Sequence, residues 1–390
     1  MPRGGISGEH AESTSLATNP GTKLGRRGFM RATGGIGVGL LLSSCRMSRS
    51  SLAEPIGTEG TRHASVTDTP PVRPSPTATA MSSATPPPNE IGRVALVAAE
   101  DRPKGLLEAI SLFGPPAFDG HNVLIKPNFN SADPPPGSTD VSMLGALVDW
   151  LHHQGAISVR VGDRSGMAQT RAVMERIGLF EMASKHDFEV LVFDDLPPSE
   201  WVSVPRGSFH WRHGFRIANP CLQADSLISL CCLKTHRFGG HFTLSLKNSV
   251  GMIAKQVSDE GYNYMTELHN SPDQRRMIAE INAAYRPSMV VLDGVDAFIG
   301  GGPDRGTLVH PGVMLAGSDR VAIDCVGVAL LRLYGCATEA ARGPILDQDQ
   351  IARAVGLGLG VTQPQMISFI TDSPQAAGLA EQLHEILAQG

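Results

Sequence analysis

From residue 91 onward, short β-rich apolar runs alternate with amphipathic helical stretches, and nearly every such run ends in polar residues. The strand candidates are Arg93–Ala98, Asn122–Ile125, Ser158–Val161, Glu189–Phe193, Ser226–Leu233, Met289–Leu292, Val313–Ala316 and Met366–Ile370. The pattern predicts helices over Val141–His153, Arg171–Lys185, Pro272–Ala284, Val321–Tyr334, Asp347–Gly356 and Gln375–Leu387. Alternation of this kind makes an α/β chain whose helices cross over between parallel strands. The expectation is a doubly wound, largely parallel sheet, with two lobes around a crevice as a variant of it. No internal repeat breaks the pattern.

The residues just past each strand narrow the function. Asn122–Ile125 leads into Lys126-Pro127-Asn128, Ser158–Val161 into Gly162-Asp163-Arg164, and Glu189–Phe193 into Asp194-Asp195. Ser226–Leu233 leads into Lys234-Thr235-His236, and Met289–Leu292 into Asp293-Gly294. In a parallel sheet these carboxyl ends share one edge, where open α/β proteins hold their ligand. A single Asp there is an ordinary turn former, so the weight rests on Lys, Asn, Asp and His occurring together. The densest stretch, Lys234 to Gly251, directly succeeds a run that reads as a buried strand, Ser226–Leu233. A solvated loop is the plain alternative for it.

The residue types point to an anionic ligand. Lys126, Lys234 and Lys247 suit a carboxylate or phosphate as point charges. With Asn128, Asp163, Asn248 and Asp293 they make a candidate substrate-binding set around Lys126 and Lys234. His236 is a candidate general acid or base near neutral pH. Lys247, beside Leu246 and an expected helix, is a candidate for desolvation. A lowered pKa would open covalent chemistry to it, although simple pairing with an acid is an equal alternative. His241 and His269 add imidazoles. No H-E-x-x-H pair, phosphate loop, dinucleotide fingerprint or nucleophile elbow is present. Gly300-Gly301-Gly302-Pro303 reads as a turn or lid hinge. Asp319 reads as a helix N-cap, and Asp324 as a carboxylate in that helix's first turn, where the dipole favours it.

The N-terminal region sets the expected location. Arg26-Arg27-Gly28-Phe29-Met30-Arg31 looks like a twin-arginine export signal, and the apolar run Ala32–Leu42 falls short of the ~20 residues that span a bilayer. Leu42-Ser43-Ser44-Cys45 resembles a lipobox, which makes Cys45 the expected lipidation site. Cleavage after Ser51-Leu52-Ala53 is the alternative. The domain plan is thus a signal peptide with lipobox at 1–45, a Ser/Thr/Pro-rich linker at 46–90, and an α/β domain at 91–390. The linker lacks the apolar content to offset its ordering entropy. The expected product is exported and held at the cell envelope or in the periplasm by a lipid anchor, with the twin-arginine translocase as its partner during export. That route carries folded proteins, so a metal or organic cofactor is admissible, its identity open. The net charge of −5 supplies no basic stripe for nucleic acid. The cysteines form no C-x-x-C pair, which argues against an iron–sulfur cluster.

Several motifs in order resemble the domain of unknown function 362 family. They are Val123-Leu-Ile-Lys-Pro-Asn128, Lys234-Thr-His236, Leu246-Lys-Asn248 with Gly251, Asp293-Gly294, Gly300-Gly-Gly-Pro303, Gly317-Ser-Asp-Arg-Val-Ala-Ile-Asp324 and Gly356-Leu-Gly-Leu-Gly360. The resemblance runs from about Arg93 to about Thr371 and implies no agreed activity. Some members carry ferredoxin-type modules, whose cysteines this chain lacks. The segment from His236 to Lys247 is also similar to the cofactor-bearing segment of nickel-pincer lactate racemases. That similarity would make Lys247 the cofactor carrier, His236 a proton shuttle and His269 a metal ligand. The lysine here lies in Ser-Leu-Lys-Asn, however, where the racemases have a Gly-Gly-x-Lys run.

The leading expectation is an exported, lipid-anchored enzyme acting on a small anionic substrate through His236 and Lys247. The alternative is a non-catalytic lipoprotein that captures a ligand or metal. A purely structural role leaves the Lys/His/Asn cluster unexplained.

Overall fold

The computed structural model describes residues 92–258 and 260–389. The expected signal peptide, Cys45 and linker therefore lie outside the described residues. In chain order the elements are β1 (Gly92–Ala98), α1 (Arg102–Phe113), β2 (Asn122–Lys126), α2 (Val141–His153), β3 (Ser158–Asp163), α3 (Thr170–Arg176), α4 (Leu179–His186) and β4 (Glu189–Val192). Next come β5 (Trp201–Val204), β6 (Phe215–Ala218), α5 (Pro220–Gln223), β7 (Ser226–His236), β8 (His241–Thr243), α6 (Ser245–Asn248), α7 (Tyr264–Asn270) and α8 (Gln274–Ile281). The chain ends with β9 (Met289–Gly301), β10 (Gly306–Val309), β11 (Val313–Gly317), α9 (Arg320–Leu333), α10 (Asp349–Gly356), β12 (Ile367–Thr371) and α11 (Pro374–Gln389).

The large sheet runs β12-β1-β11-β9-β7-β2-β3-β4, with β8 added to β7 and β10 to β9. The strands β9, β7, β2, β3 and β4 are mutually parallel, whereas β11 runs antiparallel between β9 and β1. The fold is a mixed α/β one with a mostly parallel sheet covered by helices on both faces. Period-2 alternation does the sorting. Val94 and Leu96 of β1 join the core formed with Val326 and Leu330 of α9, while Ala95 and Val97 join Leu106 of α1 and Leu144 of α2. Farther along the sheet, Leu124 and Leu227 pack with Trp211, Phe215 and Ile278 in a third apolar cluster. A separate two-stranded sheet, β5–β6, lies in that region.

Local chemistry explains where the elements begin and end. Asp101 and Asp140 cap α1 and α2 through their side chains, satisfying amides that a helix start leaves open. The single helix expected over Arg171–Lys185 is instead α3 and α4, because Gly178 between them adopts a left-handed conformation with φ 74°. Asp319 caps α9 by accepting from the amides of Val321 and Ala322. Asp324, expected in the first turn of that helix, sits beyond it and accepts from the amides that open α6.

The glycines 300–302 lead into a turn, as expected, and the turn closes a hairpin. Gly300 and Gly301 are the end of β9, which continues past Leu292 and pairs with β10. Gly302 lies against the end of β7, where any Cβ would collide with the carbonyl oxygen of Thr235. This segment is a hairpin packed on a strand. Among the described residues, no helix is long and apolar enough to cross a membrane.

Candidate functional site

The carboxyl ends of β2, β3 and β7 open onto one cavity of about 540 Å³, closed on the other side by α6 and α7. Its floor is a chain of polar contacts. Lys126 at the end of β2 pairs with Asp163 at the end of β3, Nζ to Oδ1 2.7 Å, with both side chains buried. Asp163 also accepts from the amides of Phe129 and Arg164, each at 2.7 Å. Burial pulls the Lys126 amine below the ordinary lysine range, against the opposing charge of Asp163. Gly251 makes the pair possible, since a Cβ there would lie 2.8 Å from Lys126 Nζ.

Asn248 carries the chain across the strand ends. Its Oδ1 accepts from Lys126 Nζ at 3.3 Å and from Asn128 Nδ2 at 3.2 Å. Its Nδ2 donates to Ser229 Oγ at 3.0 Å and to the Leu230 carbonyl at 3.1 Å. Asn128 in turn accepts from Lys234 Nζ at 2.8 Å, and Lys234 donates a second bond to the Gly137 carbonyl at 2.5 Å. Burial pulls the Lys234 amine below the ordinary lysine range; in its charged form it has three donors, which leaves one proton for the cavity that it lines.

Lys247 stands apart from this network. It lines the cavity, and among the described residues its amine has no hydrogen-bond or ion-pair partner. Burial, together with the charges of Lys234 and Arg164, brings its pKa down to about 7. His236, nearly buried beside it, is held well below the ordinary imidazole value by burial and by the Lys247 and Lys234 charges, so its ring is neutral. His236 Nδ1 is buried without a partner. His269, on α7, places Nδ1 2.7 Å from the Met265 carbonyl. A carbonyl only accepts, so Nδ1 carries the proton and Nε2 keeps its lone pair.

The structure thus gathers Lys126, Asn128, Asp163, Lys234, His236, Lys247, Asn248 and His269 around one cavity. It does not bring in Asp293 or His241. Asp293 is buried in the middle of β9, where its Oδ2 accepts from Arg102 Nε at 2.8 Å. It serves a structural ion pair instead of the ligand-facing role expected of it. His241 adopts φ 59° in β8 and does not line the cavity. The metal role expected of His269 has no geometric support, because among the described residues no group of three His, Cys, Asp or Glu could hold a metal ion. Cys221, Cys231, Cys232, Cys325 and Cys336 are free and buried.

Other cavity residues lie outside the expected set. Arg164 comes directly after Asp163, and its guanidinium is spent on neutral acceptors, chiefly the carbonyls of Ile253 and Val250 at 2.8 Å each. It is therefore a fixed, buried positive charge, and among the described residues no carboxylate touches its guanidinium. Asn130 and Thr243 line the cavity, and their Nδ2 and Oγ1 atoms are sealed from solvent without partners. Phe238 and Met167, 48% and 46% exposed, give the cavity's lining two accessible apolar side chains. With Asp163 matched by Lys126, the charges of Lys234 and Arg164 are left to act on whatever enters. A buried excess of cations selects anions.

Residues 123–329 match the family described as "Domain of unknown function (DUF362)". The chain is 25% identical over 230 residues to the thylakoid-associated protein sll1697 of Synechocystis sp. (strain ATCC 27184 / PCC 6803 / Kazusa), covering 58% of this chain and 68% of that protein. Among solved structures, the lactate racemase apoprotein from Thermoanaerobacterium thermosaccharolyticum aligns with a TM-score of 0.37 at 16% identity. That alignment covers 64% of this chain and spans 58% of the racemase chain. It is a distant neighbour and says nothing of activity here.

Proposed function

The chain belongs to the DUF362 family, and on that premise we propose that it is an enzyme acting on a small anionic substrate held over the strand ends. The observation that carries this reading is the Lys247 amine, unpartnered at the wall of a cavity whose unmatched charges are cationic. In this reading the free proton of Lys234 and the field of Arg164 hold the anion. Asn128 and Asn248 keep Lys234 and Lys126 in place. Lys247, acidic enough to lose its proton near neutral pH, abstracts a proton or attacks an electrophilic carbon. The lone pair of His269 Nε2 and the neutral ring of His236 are on hand to pass protons on.

The test is a comparison of product profiles when the full-length chain and Lys247→Met are each incubated with a mixture of small carboxylates and phosphate esters. Turnover by the wild-type chain only, with both proteins folded by circular dichroism, supports the enzyme. Binding by calorimetry without any product from the wild-type chain sinks it, and leaves a ligand-capturing protein.

The proposal includes location. Arg26-Arg27 direct export, and lipidation of Cys45 anchors the domain at the cell envelope through the 46–90 linker. Support comes from the order of the sequence signals. The thylakoid association in the name of the Synechocystis relative is in keeping with a site at a membrane.

A further inference from the structure

We propose that the substrate is a small 2-oxo acid, which Lys247 engages as an imine while the cationic side of the cavity holds its carboxylate. This rests on the enzymatic reading above and names its substrate class. Two geometric observations carry it.

The first is the pairing of Lys247 with His236 around Gly240. A Cβ on Gly240 would lie 2.7 Å from Lys247 Cε and 2.9 Å from His236 Nδ1, so the end of the lysine and the orphaned ring nitrogen flank one point. An unpartnered buried nitrogen costs free energy until something bonds to it. The neutral His236 ring is thus packed beside the end of the lysine whose amine must give up a proton after it attacks.

The second is the kind of bonding the cavity leaves unsatisfied. Lys234 in its charged form has one donor proton uncommitted, and the Asn130 amide is a sealed donor without an acceptor. Donors without acceptors call for a ligand rich in acceptors, and a carboxylate accepts through both oxygens. Thr243 Oγ1, also without a partner, can serve either role. Two apolar side chains, Phe238 and Met167, also line the cavity and leave room for a short side chain on the acid.

The chemistry balances without an oxidant or reductant. The amine lone pair of Lys247 attacks the carbonyl carbon, a C–N bond forms and the C=O π pair moves to oxygen. The nitrogen gives up a proton and the oxygen takes one, leaving a neutral carbinolamine. The hydroxyl then takes a further proton and leaves as water while nitrogen forms the second bond to carbon. The resulting iminium charge faces the substrate's own carboxylate. Lysines desolvated or set beside another cation are the ones that do this chemistry near neutral pH.

The experiment is reductive trapping on the full-length chain. The protein is incubated with pyruvate and sodium cyanoborohydride, and intact mass and peptide mapping locate the adduct. The expected result is one saturable adduct on Lys247, competed by lactate and absent from Lys247→Met. Acetone, which has the carbonyl without the charge, should label Lys247 at least about tenfold more slowly. Labelling spread evenly over surface lysines overturns the proposal, as does an adduct formed equally well with acetone. An adduct formed only with dihydroxyacetone phosphate overturns the 2-oxo acid assignment. If lactate and phosphate bind by calorimetry but pyruvate gives no adduct, the imine fails and the anion-processing reading stands. If no anion binds, both fail.

Discussion

Asp324 holds the amide of Ser245: its Oδ1 accepts from Ser245 N at 2.8 Å, and its two oxygens accept from Leu246 N at 3.3 and 3.2 Å. These are the two residues before Lys247, so a carboxyl group on α9 fixes the four-residue turn that carries the candidate nucleophile. Asn282 secures the same turn from just past α8, donating to the Leu246 carbonyl at 2.9 Å. Asp324 acts through Lys247 and is a positioning residue.

Burial pushes the Asp324 carboxyl up to about 8, which fixes the sign of its effect on stability. The unfolded chain gives up this proton near pH 4, whereas the folded chain keeps it until about 8. Between those values the folded state binds more protons, so stability falls as pH rises, at up to ~1.4 kcal/mol per pH unit. Asp324→Asn keeps the shape and an acceptor oxygen but cannot ionise. Urea denaturation should show the variant gaining on the wild type from about pH 4 to 8, with a constant difference above that. A difference independent of pH would show that this carboxyl does not titrate as stated.

Lys247 makes a separate pH prediction. The charges that act on it are cationic, Lys234 from β7 and Arg164 after β3, with His236 from β7 and His269 from α7 also near it and the Asp163 carboxylate of the same cavity held by Lys126. With a pKa of about 7, its neutral fraction rises roughly tenfold between pH 6 and 8 and then levels off. Ordinary surface lysines keep gaining neutral amine up to about pH 10. Reductive methylation and then peptide mapping should therefore show labelling at Lys247 reaching a plateau by pH 8. A profile for Lys247 that parallels the surface lysines would refute its activation.

Much of this site is legible in the order of the residues, because parallel strands force their carboxyl ends onto one edge. Lys126, Asp163 and Lys234 each succeed an apolar run, and that is enough to bring them together. Asp293 misleads for the same reason in reverse. The apolar run stops at Leu292, but pairing with β10 extends β9 to Gly301 and leaves Asp293 inside the strand. Its partner Arg102 belongs to α1, a helix absent from those the apolar pattern predicts. The role of Asp324 is hidden because α6 is too short to have a period. Arg164 is visible beside Asp163, but the carbonyls that occupy it lie about ninety residues away along the chain.

The export reading makes a prediction in cells. Arg26→Lys with Arg27→Lys should leave the protein in the cytoplasm at its full precursor mass. Cys45→Ala should be exported yet lost from the membrane fraction. Fractionation and intact mass of each variant decide it. A Cys45→Ala protein that still sediments with membranes to the wild-type extent would remove the lipid anchor from the proposal.

The Lys126–Asp163 pair separates a structural charge from a catalytic one. Both side chains are nearly sealed from solvent, at 1% and 2% exposure. Removing one partner leaves the other charge buried, a loss of about 3–5 kcal/mol in comparable pairs. Asp163→Asn should therefore destabilise the chain by roughly that amount. Lys126→Met should as well, because it strands a carboxylate still held by the Phe129 and Arg164 amides. The double variant should cost less than the two singles together, since it strands no charge. Urea denaturation of the four proteins completes the cycle. The same variants should leave the pH dependence of Lys247 labelling in place, because Lys234 and Arg164, and not Lys126, are the charges that depress it. Additive single effects would mean that Lys126 and Asp163 are not coupled, and a Lys247 profile that moves with Asp163→Asn would mean that the floor of the cavity and its reactive lysine are one electrostatic unit.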